Sequence, residues 1–182
     1  MSLLSGKKIL LGVSGGIAAY KSPLIVRLFK SHGAEVRVVM TPSAKDFVTP
    51  LTLSPLSDYP VCSTFTEQLY ENPIWNDHVA LGKWADLFLI APATSNTLSS
   101  MVHSKCNNLL IATYLSCTCP VYVAPAMDLD MYAHPANQKN IKELDRIGNK
   151  VLPVGEGFLA SGLNGKGRML EPEKIIDYII KN

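Results

Sequence analysis

A chain of 182 residues is about one domain's worth and can bury well over half of its surface, so it is read here as a single domain over residues 1–182. Charged residues make up 18% and the formal net charge is +2, with Lys and Arg scattered rather than massed, which argues against a nucleic-acid footprint and against a funnel for acidic substrates. Apolar runs are short and no charged segment leads into an apolar stretch and a cleavage site, so neither a membrane span nor export is expected and the cytoplasm is the default location.

Taken in chain order, short apolar runs alternate with helix-type stretches. Lys8 to Val13 reads as a strand and is followed by Ser14-Gly15-Gly16 and a helical stretch over 16–32, closed by Gly33. Pro23 sits inside that stretch at a cost of about 3 kcal/mol in a helix interior, which predicts a kink or a late start. Glu35 to Met40 reads as the next strand, followed by Thr41-Pro42-Ser43-Ala44. Leu87 to Ala91 is a third, leading through Pro92, Ala93, Thr94, Ser95, Asn96 and Thr97 into a helix over 94–102, with another over 107–116. Val121 to Ala124 precedes Pro125-Ala126-Met127-Asp128, a helix over 136–147 closed by Gly148, and a last strand at Val151 to Val154. The final helix, 173–181, opens on Glu171-Pro172-Glu173, residues suited to a first turn, and puts Ile175, Ile176, Ile179 and Ile180 on one face. Strands as continuously apolar as EVRVVM, LFLIA and VYVA are expected to be covered on both faces. The alternation predicts a doubly wound α/β domain built on a parallel sheet, with right-handed crossovers.

Ligands in such folds bind beyond the carboxyl ends of the strands, which gathers the loops after four of these strands into one expected crevice. Three of the loops carry hydroxyls and small residues at helix starts, where free amides and the helix dipole favour an anion. For any single loop, Ser, Thr and Asn also serve simply as N-caps; several such loops on one edge favour a phosphate-bearing ligand. Gly12, Gly15 and Gly16 do not have dinucleotide-fingerprint spacing, and VVMTPSA offers no acid to a ribose, so one phosphate fits better than two. Cys62, Cys106, Cys117 and Cys119 lack C-x-x-C spacing and regularly placed His partners, so no metal site is expected and reduced, mostly buried thiols are.

Six segments then occur in order between residues 12 and 170: GVSGGIAAYK, MTPSAKDFVTPLTLSPLS, HVALGKWADLFLIAPATSNTLSSM, NNLLIATYLS, PAMDLDMYAHPANQKNI and LASGLNGKGRML. Together they resemble the homo-oligomeric flavin-containing cysteine decarboxylases, in particular the branch acting on phosphopantothenoylcysteine in coenzyme A biosynthesis. The resemblance implies a Rossmann-like flavoprotein fold, FMN as cofactor, and trimers, often assembled into dodecamers, with flavin between subunits. It also implies the reaction: flavin oxidation of the cysteinyl group, loss of carbon dioxide, and reduction of the enethiol. By the same resemblance Ser14, Gly15, Gly16, Ser43, Ala93, Thr94, Ser95, Asn96 and Thr97 would hold FMN. Met127, Asp130, Lys166 and Arg168 would meet a phosphorylated cysteine conjugate, Lys166 reading equally well as part of a solvated loop.

His78, in WNDHVALGKWAD, falls at the family's active-site histidine; on context alone, a surface histidine at a helix start reads equally well. His134 ranks second, with a structural helix-start role as its alternative. Asp128 stands where relatives often carry Asn in PAMN, and an ionised carboxylate accepts hydrogen bonds where an amide could donate to a substrate carboxylate. Ser161 stands where many relatives have the cysteine thought to protonate the enethiol, and an alcohol is a far weaker acid than a thiol. Gly157, Gly162, Gly165 and Gly167 suggest a flap over the substrate. The chain stops at Asn182, where a phosphopantothenate–cysteine ligase domain follows in many bacteria, so a free-standing decarboxylase and a piece of a longer protein both fit. Two other classes are carried alongside: a peptidyl-cysteine decarboxylase or, more distantly, a flavin prenyltransferase; and a non-enzymatic regulatory subunit that keeps the fold.

Overall fold

The computed structural model describes residues 3–69 and 72–182. Its centre is a five-stranded parallel sheet in the order β2-β1-β5-β6-β7, formed by β1 (Lys8–Val13), β2 (Glu35–Met40), β5 (Leu87–Ala93), β6 (Val121–Pro125) and β7 (Lys150–Val151). Strands β1 and β2 fall where the apolar runs place them. β7 does not: it is Lys150–Val151 rather than Val151 to Val154, because Pro153 has no amide to give and pairing with β6 covers only Tyr122↔Lys150 and Val123↔Val151.

Helices cover both faces. On one side lie α1 (Ser22–Ser31), α2 (Pro50–Ser57) and α8 (Pro172–Lys181), which bury Ile25, Val26, Phe29, Leu53, Ile175, Ile176 and Ile179 against β1 and β2. On the other lie α3 (His78–Trp84), α4 (Ser95–Val102), α5 (Leu109–Ser116) and α7 (Pro135–Arg146), packed through Leu81, Leu98, Met101, Leu109 to Ile111 and Leu144. Complete cover is why β1, β5 and β6 have no polar face. At Gly12 an added Cβ would meet Phe88 at 3.0 Å and Leu110 at 3.1 Å, so the missing side chain lets α5 settle onto β1 and β5.

The stretch over 16–32 is divided: a 3-10 turn covers Ile17–Lys21 and α1 begins only at Ser22, leaving Pro23 in its first turn, where a missing amide costs nothing. A second 3-10 turn, Pro42–Asp46, follows β2. Further pieces were not among the predicted elements: the helices α2 and α3, the antiparallel pair β3 (Thr66–Leu69) and β4 (Asn72–Trp75), the short α6 (Leu129–Ala133), and the antiparallel hairpin β8 (Gly155–Phe158) and β9 (Asn164–Arg168). No helix among the described residues is long and apolar enough to cross a membrane.

The cysteines depart from expectation. Cys62, Cys117 and Cys119 are half-buried, packed against the edge of the core beside β2 and in the α5–β6 connection, and Cys106 is exposed in the loop between α4 and α5. Among the described residues no cluster of three or more candidate ligands could hold a metal.

Candidate active site

A cavity of about 730 Å³ lies beyond the carboxyl ends of β1, β5 and β6, a size that suits a cofactor. Gly15 and Gly16 follow β1, Thr94 to Asn96 follow β5, Ala126 to Asp128 follow β6, and the β8–β9 hairpin supplies Phe158 to Ala160, Gly167 and Arg168. Three of the four expected loops therefore meet. The fourth, after β2, does not line the cavity but buttresses it: a Cβ on Gly15 would come within 2.4 Å of Ser43 Oγ and 2.9 Å of the Ser43 backbone carbon.

Ser14 is buried behind this wall, and its hydroxyl is fully occupied. It donates to the Pro92 carbonyl at 2.7 Å and accepts from the Thr94 amide at 3.1 Å, tying the end of β1 to the start of α4. Thr94 is the N-cap of α4, but its hydroxyl pairs with Thr97 Oγ1 at 3.2 Å and no side chain caps the helix. The first-turn amides of α4 thus face the cavity mouth without a capping side chain, the arrangement that binds a phosphate. Ser95 Oγ donates to Asn137 Oδ1 at 2.6 Å, and the Asn137 amide donates to the Met131 carbonyl at 2.7 Å, linking α4 to α6 and α7. Asn96 is exposed at the rim, whereas Ala93 and Thr97 are buried behind the lining.

The hairpin is held in place by backbone. Met127 N–H donates to Gly167 O at 3.0 Å. Gly167 has φ +141°, and a Cβ there would lie 2.4 Å from Met127 O, so both conformation and space demand glycine. Arg168 lines the cavity while its Nη2 donates to Glu171 Oε1 at 3.0 Å. Lys21 reaches the same carboxylate oxygen at 2.9 Å and the Met169 carbonyl at 3.1 Å, with only 4% of its side chain exposed. That ammonium, then Arg168, holds the Glu171 carboxyl below its ordinary range. Asp128 caps α6, its Oδ1 accepting from Leu129 N–H at 2.6 Å.

The other residues singled out from sequence are dispersed. Asp130 and Lys166 are exposed outside the lining, and Ser161 is exposed in the turn between β8 and β9, next to Ala160 of the wall. His134 is the N-cap of α7, with Nδ1 accepting from the Ala136 amide at 3.2 Å, and it does not line the cavity. His78 opens α3 and is not part of the lining. Its ring packs edge-on against Phe65 and Trp75, with centroids 6.0 and 6.4 Å away, and its buried Nδ1 has no hydrogen-bond partner among the described residues.

Sequence reasoning passed over Lys21, Tyr20, Met131, Phe158 and Met169 as cavity residues. Lys21 alone left a signal: it interrupts the apolar stripe of Ala18, Ile25, Leu28 and Phe29, where a charge needs a buried partner.

The Flavoprotein family matches residues 2–182. The coenzyme A biosynthesis bifunctional protein CoaBC of Vibrio vulnificus is 46% identical over 176 residues, which is 97% of this chain but 43% of that protein. This chain therefore spans less than half the length of that relative. Among solved structures, a cysteine-to-serine variant of PPC decarboxylase complexed with pantothenoylaminoethenethiol superposes with a TM-score of 0.82 at 32% identity, covering 96% of each chain. The FMN binding protein AtHal3 superposes with a TM-score of 0.78 at 31% identity, covering 95% of this chain.

Proposed function

The chain belongs to the Flavoprotein family, and from that premise we propose that it is an FMN-dependent decarboxylase of 4'-phosphopantothenoylcysteine, yielding 4'-phosphopantetheine for coenzyme A. The observation that carries this is the cavity itself: apolar walls, an uncapped helix start at one end, and Lys21 and Arg168 sharing one carboxylate at the other. Those features suit FMN, whose phosphate would sit beside Thr94 at the amides of Ser95 to Thr97, with Gly15 and Gly16 leaving room and Ser14 and Ser43 fixing the wall behind. When bound, FMN supplies reversible two-electron chemistry.

The chain's own groups would orient, ionise and shield. Arg168 and Met127 lie where substrate would enter, with Asp130 and Lys166 at the outer margin. Asp128 has one carboxylate oxygen committed to α6 and the other left to accept from the substrate. His78 would be the proton acceptor for a thiol through Nε2, since its Nδ1 is buried. It would act in a neighbouring subunit's cavity. Trp75 and Ile74, beside His78, are 58% and 48% exposed, and Phe158, Ile17 and Tyr20 at the cavity rim are 73%, 59% and 56% exposed. Two unlike apolar patches meeting head to tail close into a ring, consistent with a homotrimer or a dodecamer of four trimers. The chain would work in the cytoplasm as one flavin-binding domain over residues 1–182, fused to or paired with a phosphopantothenate–cysteine ligase.

Anaerobic incubation of FMN-loaded protein with phosphopantothenoylcysteine tests the reading. Carbon dioxide together with saturated phosphopantetheine is the expected result. Carbon dioxide with a product two hydrogens lighter and reduced flavin would mean that Ser161 does not complete the cycle. Flavin binding without any carbon dioxide would overturn the assignment in favour of a peptide substrate or a regulatory role.

A further inference from the structure

At the opposite end of the sheet from this cavity, the connection between α5 and β6 carries Cys117 and Cys119, one residue apart. Both line a second cavity of about 300 Å³, formed with Tyr114, Leu115, Pro120, Ile147 and Asn149. Cys117 is the C-cap of α5, and its Sγ donates to the Tyr114 carbonyl at 3.1 Å. Packing fixes the loop: a Cβ on Gly82 of α3 would meet the Cys117 backbone at 3.1 Å. Asn149, buried, donates to Tyr114 Oη at 3.2 Å and closes one side of the cavity. The decarboxylase reading uses none of these groups.

We propose that Cys117 and Cys119 form a dithiol site that exchanges with low-molecular-weight disulfides and closes into an intramolecular disulfide. The asymmetry of the pair gives each sulfur a role. The Tyr114 carbonyl holds the Cys117 proton, and the neighbouring Cys119 sulfur and burial push that thiol up, so Cys117 stays protonated until it is needed. Cys119, held below the ordinary thiol value chiefly by its neighbour Cys117, is the thiolate that attacks. In the first step Cys119 Sγ bonds to one sulfur of the small disulfide, whose S–S bond breaks and releases one thiolate. Cys117 then gives its proton to solvent and attacks Cys119 Sγ, releasing the second thiolate. Two protein thiols are oxidised and one small disulfide is reduced to two thiols. The cavity supplies the standing room that an incoming disulfide needs.

The test is incubation of the full chain with oxidised glutathione at neutral pH, followed by alkylation and peptide mass mapping. A 117–119 peptide lighter by two hydrogens, with no glutathione retained on it, is expected. The Cys117→Ser variant is expected to accumulate a stable glutathione adduct on Cys119, several-fold above any adduct on Cys117 in Cys119→Ser, where the thiol stays bonded to the Tyr114 carbonyl. If glutathione is taken up at Cys106 or Cys62 while Cys117 and Cys119 stay alkylatable in the unaltered chain, the site is overturned. Equal adducts in the two variants would overturn the assignment of roles.

Discussion

Replacing Ser14 by Ala removes one oxygen and two hydrogen bonds at a point that is 1% exposed. The Pro92 carbonyl keeps a weaker partner, since Ser14 N–H also reaches it at 3.3 Å, so the loss there is one net hydrogen bond of about 1 kcal/mol. The Thr94 amide is left facing the space of the missing oxygen, an orphaned donor worth about 1–3 kcal/mol. The sum is about 2–4 kcal/mol, which for a chain of this size lowers the melting temperature by roughly 4–16 °C. Thermal and urea unfolding of flavin-free protein measure it, with the urea slope unchanged if only stability moves. Ser43→Ala is the control: its exposed hydroxyl pairs with Thr41 Oγ1 at 3.2 Å, and its removal should stay within about 0.5 kcal/mol. Should Ser14→Ala and Ser43→Ala melt together, the bridge between β1 and α4 is not what holds the cavity wall.

Glu171→Gln tests the cluster with Lys21 and Arg168. Because the folded carboxyl is held below its ordinary value of 4.5, chiefly by Lys21, the ion pair stabilises the fold above that value and is lost as pH falls through the folded one. The parent's advantage over the variant should be flat down to about pH 5 and shrink below it, as read by denaturation at stepped pH. Gly167→Ala forces a left-handed backbone and a clash with Met127 O, and should cost about 1–3 kcal/mol along with flavin affinity, measured by unfolding and by flavin titration. His78→Asn should leave flavin binding intact while carbon dioxide release falls by about 100-fold or more. Ser161→Cys should raise the ratio of saturated to unsaturated product by mass spectrometry, since a thiol near pKa 8.5 can protonate where an alcohol cannot.

The parallel strands were legible because burial on both faces leaves an unbroken apolar run, as in EVRVVM and LFLIA. Helix ends were legible at Gly33 and Gly148, whose φ of 81° and 99° suits glycine after a helix. The β8–β9 hairpin was not, because GEGF and NGKGR carry no alternation to read; the strands are made by glycines packing onto Met127 and Leu129 rather than by side chains of their own. Of the crevice, the loops after β1, β5 and β6 follow from topology. The neutralising partnership of Lys21 with Glu171 does not, since 150 positions separate the two and only folding brings them together.

The cavity's walls are drawn from stretches far apart in sequence: Gly15, Tyr20 and Lys21 line it with Phe158, Arg168 and Met169, and the loops after β5 and β6 complete it. A nascent chain that has not yet made the β8–β9 hairpin lacks one wall of the site. Occupancy would therefore report that these stretches have folded together, and mass action would add to the stability of folded molecules alone: about 2.7 kcal/mol when ligand stands at a hundred times its Kd. Cells short of that ligand would carry this protein nearer to its unfolding threshold, and degradation, not inhibition, would be the first sign of the shortage.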